Sequence, residues 1–383
     1  MTLRTIYDLP TPCLILEQEV LQNNLDRMDA IAKAGQVNLR PHCKTAKSAE
    51  VARRATANHS GAIAVSTLHE AEYFLTNGFT DILLAVGMVP SKLPRIDRLQ
   101  RAGADITVIL DSVEMARALA LKARDLSKPL PVLIEIDAEL HRTGVPPLAE
   151  ELTGIGAIIH ASDILRLRGV LAFGGIGYDR DSLNGIAAAA ERVRICAVTA
   201  AGRLRAAGLP CDIVSIGATP TRLAGASLEG VTEIRPGVYV FMDLMQQALG
   251  VCGYEDIAVT VLASVIGWNR AEQRVYIDAG ALALSKDQGM ARPGKLYAPY
   301  GLVRSPESPF PFENVGVTAV NQEHGYVSRI NDKAPFPFDA FPLDSRVRII
   351  PNHVCHTAAC FDRYYVIDAE GLVVDAWDRD IGW

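Results

Sequence analysis

Three groups of residues in this sequence have types and spacings that do chemistry. In Leu39-Arg40-Pro41-His42-Cys43-Lys44-Thr45-Ala46-Lys47-Ser48, Lys44 stands where an apolar run gives way to a polar-faced segment. At the carboxyl end of a strand in a parallel α/β protein, such a side chain faces a shared crevice. Desolvated there and beside a cation such as Arg40, its amine would stay neutral, the form that attacks carbonyls and makes a Schiff base. On an ordinary surface it would be a solvated charge. The second group is His353-Val354-Cys355 within Asn352 to Thr357. Residues two apart in an extended strand share a face, so this pair would grip one ion. Imidazole with thiolate favours zinc, and an incomplete protein shell leaves positions for water or substrate, as a catalytic zinc requires. Two ligands are not four, however, and the pair alone is also compatible with plain structural residues. The third group is Ser215-Ile216-Gly217-Ala218-Thr219-Pro220-Thr221, small residues and hydroxyls opening a helix. Helix N-terminal N–H groups, a glycine and the Thr219 hydroxyl hold a phosphate, or else form an ordinary strand-to-helix turn.

Two further places supply polar partners. Glu135-Ile136-Asp137 followed by His141-Arg142-Thr143-Gly144 suits an anionic or aromatic-nitrogen ligand, with Arg142 as the contact or as a structural partner of Asp137. Tyr239, in Arg235-Pro236-Gly237-Val238-Tyr239, either donates to the same phosphate or fills a core. Asn321-Gln322-Glu323-His324-Gly325 is a further polar cluster.

The elements that must position these residues follow one pattern. Short apolar runs at Val37–Arg40, Gly61–Ser66, Asp81–Val86, Ile106–Leu110, Pro131–Ile136, Leu167–Phe173, Asp212–Ile216 and Glu233–Pro236 alternate with amphipathic segments such as Leu68–Asn77, Val113–Ala123 and Ala187–Ala207. Eight strand-helix units predict a closed (β/α)8 TIM-type barrel; an open doubly wound sheet would give the same alternation, but no G-x-G-x-x-G follows the first strand. Beyond about Gly250 the runs Ile257–Ile266, Arg274–Asp278, Val315–Ala319, Arg346–Ile350, Tyr364–Ile367 and Leu372–Ala376 read as strands between proline-rich loops, with no convincing helix. The run Cys13–Leu16 precedes the barrel and is expected to join this β domain. The expected organisation is a barrel over 18–250 and a discontinuous, mostly β domain over 1–17 and 251–383.

Composition bounds the partners. With 383 residues, 49% hydrophobic and 21% charged, the chain is long enough for two domains with substantial cores. A net charge of −6 without acidic or basic blocks argues against a nucleic-acid footprint. The longest apolar stretch, Ile257 to Trp268, is too short to span a bilayer, and no signal-peptide pattern is evident, so a cytoplasmic protein is expected. Seven cysteines without paired spacing read as reduced thiols.

Taken together and in order, Arg40 to Lys47, His141 to Val145, Ser215 to Thr221, Arg235 to Asp243, Glu323 to Gly325 and Pro351 to Cys355 resemble the alanine-racemase-like (fold-type III) pyridoxal-phosphate enzymes. More narrowly, the chain resembles the D-serine dehydratase and D-threonine aldolase family. Within it the likeness is to the dehydratases of D-serine and D-threo-3-hydroxyaspartate, whose metal motif is H-x-C, whereas the aldolases carry H-x-D. The resemblance implies pyridoxal 5'-phosphate bound to the barrel, zinc on the β domain, and a homodimer in which each subunit completes the other's site. By position, Lys44 would be the Schiff-base lysine, Arg142 would contact the cofactor ring, Gly217, Ala218, Thr219 and Tyr239 would hold the phosphate, and His353 and Cys355 would bind zinc. Where relatives often have His or Tyr beside the cofactor after the sixth strand, Tyr178 offers the polar group. His356 stands after the cysteine in place of a small residue or proline.

The reaction this implies is loss of water from a 3-hydroxy D-amino acid (D-serine, D-threonine or a 3-hydroxyaspartate), giving a 2-oxo acid and ammonia. The runner-up is retro-aldol cleavage by the same lysine and cofactor, giving an aldehyde. A non-catalytic pyridoxal-phosphate carrier is opposed by the large β domain with its H-x-C, and a sugar or phosphate-ester barrel enzyme leaves Lys44 unexplained.

Overall fold

In the computed structural model, which describes residues 4–138, 142–289, 291–331 and 334–383, the chain forms two compact units. One comprises Arg27–Gly237 with Gly382–Trp383, the other Met1–Asp26 with Val238–Ile381. In chain order, β1 (Cys13–Glu17) is followed by β2 (Asn38–Leu39), β3 (Ile63–Val65), β4 (Asp81–Gly87), β5 (Asp105–Leu110), β6 (Leu130–Ile136), β7 (Leu165–Phe173), β8 (Ile213–Gly217) and β9 (Glu233–Ile234).

Most residues of strands β2 to β9 are apolar and buried, the pattern of strands covered on both faces. They pair in parallel in the order β2-β9-β8-β7-β6-β5-β4-β3. The two ends of this sheet meet at a parallel bridge between His42 and Ala64. There Ala64 donates to the Pro41 carbonyl at 2.9 Å and accepts from the Cys43 N–H at 2.8 Å. This closure makes the (β/α)8 barrel expected from the alternation and excludes the open sheet. Ala64, Leu83, Ile109, Leu133 and Leu171, one from each of β3 to β7 and at most 2% exposed, pack as one interior cluster.

A buried polar chain crosses the other side of the barrel. Arg40 donates to Glu233 at 2.7 Å and to Asp81 at 2.7 Å. Glu233 accepts from the Ser215 hydroxyl, and Arg235 donates to Ser215 Oγ and, at 3.0 Å, to the Ala172 carbonyl. Burial alone would lower the Arg40 pKa, but the two carboxylates outweigh it and the net shift is upward. This corrects one expectation: Arg40 is charge-compensated by its own partners and is not a bare cation acting on Lys44.

The remaining strands are β10 (Val259–Asn269), β11 (Arg274–Ile277), β12 (Leu302–Arg304), β13 (Pro311–Val320), β14 (Gly325–Arg329), β15 (Arg346–Ile350), β16 (Arg363–Ile367) and β17 (Val373–Asp378). The circuit β10-β11-β14-β13-β12-β15 returns to β10 and closes a second, antiparallel barrel. A bulge between Val265 and Gly267 lets the long β10 serve two partners along one edge. β1 lies antiparallel to β10 and parallel to β16, with Cys13 to Leu16 all buried. β12 and β14 were not among the expected strands. Two short helices, Ala281–Leu284 and Val354–Ala358, stand where no helix was expected.

One carboxylate bridges two buried cations in this unit. Arg304 and Arg348, each 2% exposed, both donate to Glu17 Oε1, Arg348 at 2.6 Å. Burial raises the Glu17 pKa, but the two guanidiniums outweigh it and hold it below the usual value. A carboxyl whose folded pKa is depressed contributes stability above its unfolded value of about 4.3, lost as pH falls through the folded one. Glu17→Gln leaves both arginines without counter-charge and is expected to cost about 3 kcal/mol. Urea unfolding measures this; a loss below about 1 kcal/mol would show that the pair tolerates a neutral partner.

Candidate active site

On the barrel unit, Lys44 lies two residues beyond the closing bridge at His42, in the turn leading to the helix Ala49–Thr56, and is exposed. Its backbone N–H approaches His42 Nδ1 at 3.5 Å. Burial, then the cations Lys44, Arg235 and Arg142, hold the His42 imidazole well below its usual pKa, so it is neutral at pH 7. The sequence reading gave His42 no role, because an imidazole's charge state is set by neighbours that spacing does not reveal.

Arg142 follows β6 and lines a pocket with Glu135, Asp137, Thr143 and Phe173. Its guanidinium lies 4.4 Å from the Phe173 ring centroid, a cation–π contact. Its ion-pair carboxylate is Glu135, at 3.9 Å. The loop is fixed by Thr143 donating to Glu135 at 2.9 Å and by the Gly144 N–H donating to Asp111 at 3.0 Å. Gly144 has φ 126°, and an added Cβ would sit 2.4 Å from the Asp137 nitrogen. Only glycine therefore allows the return by which Val145 bonds Glu135 and Asp137. His141 lies outside the described residues.

β8 ends at Gly217, and the helix Thr219–Leu223 starts at once with Pro220 in its first turn. Thr219 is 1% exposed. The Ala218 N–H donates to Thr221 Oγ1 at 3.1 Å. Tyr178 is half-buried in the 3-10 turn Gly175–Asp179. Just before that turn, the Gly174 N–H bonds the Gly217 carbonyl at 3.1 Å. Tyr239 is fully buried and belongs to the other unit, as do His353 and Cys355.

In that unit His353 is the N-cap of the helix Val354–Ala358, so His353 and Cys355 are not on an extended strand. The physical reason is Asp243. This buried carboxylate accepts from the Gln246 N–H at 3.0 Å and the Val354 N–H at 3.1 Å, capping two helices at once and turning the chain into helix just after His353. The pair is nonetheless in contact: Cys355 hydrogen-bonds His353. Asp287 Oδ2 lies 2.8 Å from Nδ1 of both His353 and His356, whose rings are 4.1 Å apart. Burial alone would lower the His353 pKa; Cys355, Asp243 and Asp287 outweigh it and raise it to about 10. Asp287 is brought here by Asn352, which donates to the Gln288, Ala298 and Pro299 carbonyls, and by Thr357, which donates to the Leu284 carbonyl. Glu323 and His324 instead form the exposed turn between β13 and β14.

These residues fit the groups the sequence points to. An amine past the first barrel strand, a guanidinium past β6 whose charge acts on His42, and a hydroxyl-bearing helix start past β8 are the donors an aldehyde-bearing, phosphorylated pyridine needs. Two imidazoles and a carboxylate, His353, His356 and Asp287, lie close enough to share one ion, and the Cys355 thiol interacts with His353; imidazole and thiolate are donors suited to zinc.

A (β/α)8 barrel with a lysine beyond its first strand, joined to an antiparallel β-barrel unit, defines an alanine-racemase-like protein. The chain matches "Alanine racemase, N-terminal domain" over residues 16–245 and "Putative serine dehydratase domain" over residues 258–367, and it belongs to that family. It is 43% identical to D-threo-3-hydroxyaspartate dehydratase of Delftia sp. (strain HT23) over 99% of both chains. It is 32% identical to D-serine dehydratase of Dictyostelium discoideum over 99% of this chain and 98% of that one. A solved structure of D-threo-3-hydroxyaspartate dehydratase, a cysteine-to-alanine variant in the metal-free form, superposes with TM-score 0.94 at 43% identity over 99% of this chain and 100% of that one. The chain is accordingly an enzyme of the lyase class. Among the described residues no helix is long and apolar enough to cross a membrane.

Proposed function

We propose that this protein is a pyridoxal-phosphate- and zinc-dependent dehydratase that removes water from a 3-hydroxy D-amino acid to give a 2-oxo acid and ammonia. The observation that carries the choice of elimination over aldol cleavage is the His353–Cys355 contact, a soft donor pair that favours zinc over the harder ions a carboxylate pair accepts. The assignment gives the barrel domain, 18–250, the cofactor, and the β domain, 1–17 and 251–383, the metal. The working form is a homodimer in the cytoplasm.

Lys44 is the residue that would hold the cofactor through its aldehyde, and its amine is the base that would take the Cα proton. His42, held neutral, keeps a second positive charge away from that amine. Arg142, fixed by Phe173 and Glu135, contacts the ring, with Tyr178 as its polar neighbour. Gly217, Ala218, Thr219 and Tyr239 hold the phosphate. Bound pyridoxal phosphate would supply the electron sink for the Cα carbanion. Zinc held by His353 and Cys355 would act as the Lewis acid that makes hydroxide a competent leaving group. The eliminated enamine then hydrolyses. Purified protein incubated with D-serine or D-threo-3-hydroxyaspartate is expected to release ammonia; release of an aldehyde instead would favour the aldolase.

Asp287 bonds Nδ1 of His353, which directs Nε2 towards an ion and fixes the tautomer that binds it. Asp287→Ala is therefore expected to weaken zinc binding about 10- to 100-fold in a chelator competition. Unchanged affinity would mean that His353 is oriented by its helix cap alone.

A further inference from the structure

His356 has no part in the reaction proposed above, yet it stands with Asp287 and His353 in the group of side chains able to share one ion. The local chain puts it there. His353 caps the helix Val354–Ala358, and the His356 N–H donates to the His353 carbonyl at 3.1 Å, closing the first turn. Residues three apart across such a turn lie on one face. The two rings accordingly sit with their centroids 4.1 Å apart and their planes at 37°. Cys355, between them in sequence, hydrogen-bonds His353. The His356 side chain is 57% exposed, so this side of the cluster faces solvent rather than core.

Asp287 decides which ring atoms are free. Its Oδ2 lies 2.8 Å from Nδ1 of both histidines. Two ligands on one tetrahedral zinc stand about 3.3 Å apart, given bonds of about 2.0–2.1 Å. The shorter separation here is that of hydrogen bonds, so one carboxylate oxygen accepts an N–H from each ring. Both imidazoles are thereby held in the same tautomer, with the Nε2 lone pair as the free end. Asp287 thus prepares His356 for an ion in the same way as it prepares His353.

We propose that His356 is a third protein ligand of the metal ion, beside His353 and Cys355. The proposal rests on the zinc reading above and completes it. Two protein ligands fill half of a tetrahedral shell, whereas catalytic zinc sites take three and keep the fourth position for water or substrate. His353, Cys355 and His356 make such a set, two imidazoles and one thiolate. A single position is then left for the substrate hydroxyl.

X-ray absorption at the zinc edge, on cofactor-loaded protein stripped of metal and reloaded with zinc, counts the ligands. Wild type is expected to show one sulfur at about 2.3 Å and two imidazole nitrogens at about 2.0–2.1 Å, with one imidazole missing in His356→Ala. A single imidazole in wild type overturns the proposal. Competition for zinc against a chromophoric chelator gives a second measurement. His356→Ala is expected to bind zinc at least about 100-fold more weakly, the upper end of what loss of an outer hydrogen-bond partner costs. Equal affinity in the two proteins overturns the proposal. So does a weakened affinity accompanied by a lower melting temperature of the metal-free variant, which would trace the loss to the helix rather than to the ligand. Failure of the proposal and failure of the reading beneath it look different. Wild type that binds no zinc removes both; zinc bound through one imidazole removes only His356. Two imidazoles on the zinc without ammonia release would leave His356 as a ligand and remove elimination.

Discussion

Lys44→Ala is expected to abolish ammonia release, by at least about 10⁴-fold, and to remove the visible absorption of the lysine-bound cofactor. Two functions fall together in this variant. The amine that binds the aldehyde is gone, and so is the base that takes the Cα proton, a group worth about 10² to 10⁴ by itself. Its placement supports the assignment: the side chain follows the bridge that closes the barrel, on the end of the first strand, exposed and beside an imidazole kept neutral by burial and by three surrounding cations. Lys47 is the control. It lies three residues on, pairs with Glu70 at 3.3 Å and packs under Trp383, so it is already committed to structure. Borohydride treatment of wild type should fix the cofactor to the peptide containing Lys44. A Lys44→Ala protein that still fixes cofactor covalently would transfer the role to another lysine.

Removal of the metal is expected to stop ammonia release while leaving the cofactor absorption unchanged, because the lysine–cofactor bond involves no ion. Zinc should restore the rate. Cys355→Asp exchanges the soft ligand for a hard one; zinc binding and elimination should both drop, with some aldehyde formed when manganese is supplied. Metal-free protein that releases ammonia at the untreated rate would return His353 and Cys355 to ordinary β-unit residues and remove the main support for dehydratase over aldolase.

The barrel was legible because most of its strands lie in apolar stretches separated by amphipathic segments; β9 was found from the run Glu233–Pro236, of which the strand occupies only Glu233–Ile234. What failed in the β unit failed for local reasons. β12 spans only Leu302–Arg304, too short for any alternation to register. The helix at Val354 was hidden because its cap, Asp243, lies far back in the sequence. Asp287 could not be found by spacing, since it reaches His353 only through the hydrogen bonds of Asn352 and Thr357.

The position of β1 has a consequence for how the chain is made. Leu14 pairs with Val261 on one side and Tyr364 on the other, so this strand has no partner until β10 has emerged, and its second edge stays open until β16 follows. At roughly 5–20 residues per second, it waits on the order of ten seconds or longer. During that time Cys13, Leu14, Ile15 and Leu16, all destined for burial, form an apolar strand with two open edges. The nascent chain is thus exposed to aggregation through this strand, and its yield should depend on holding chaperones and slow growth temperatures.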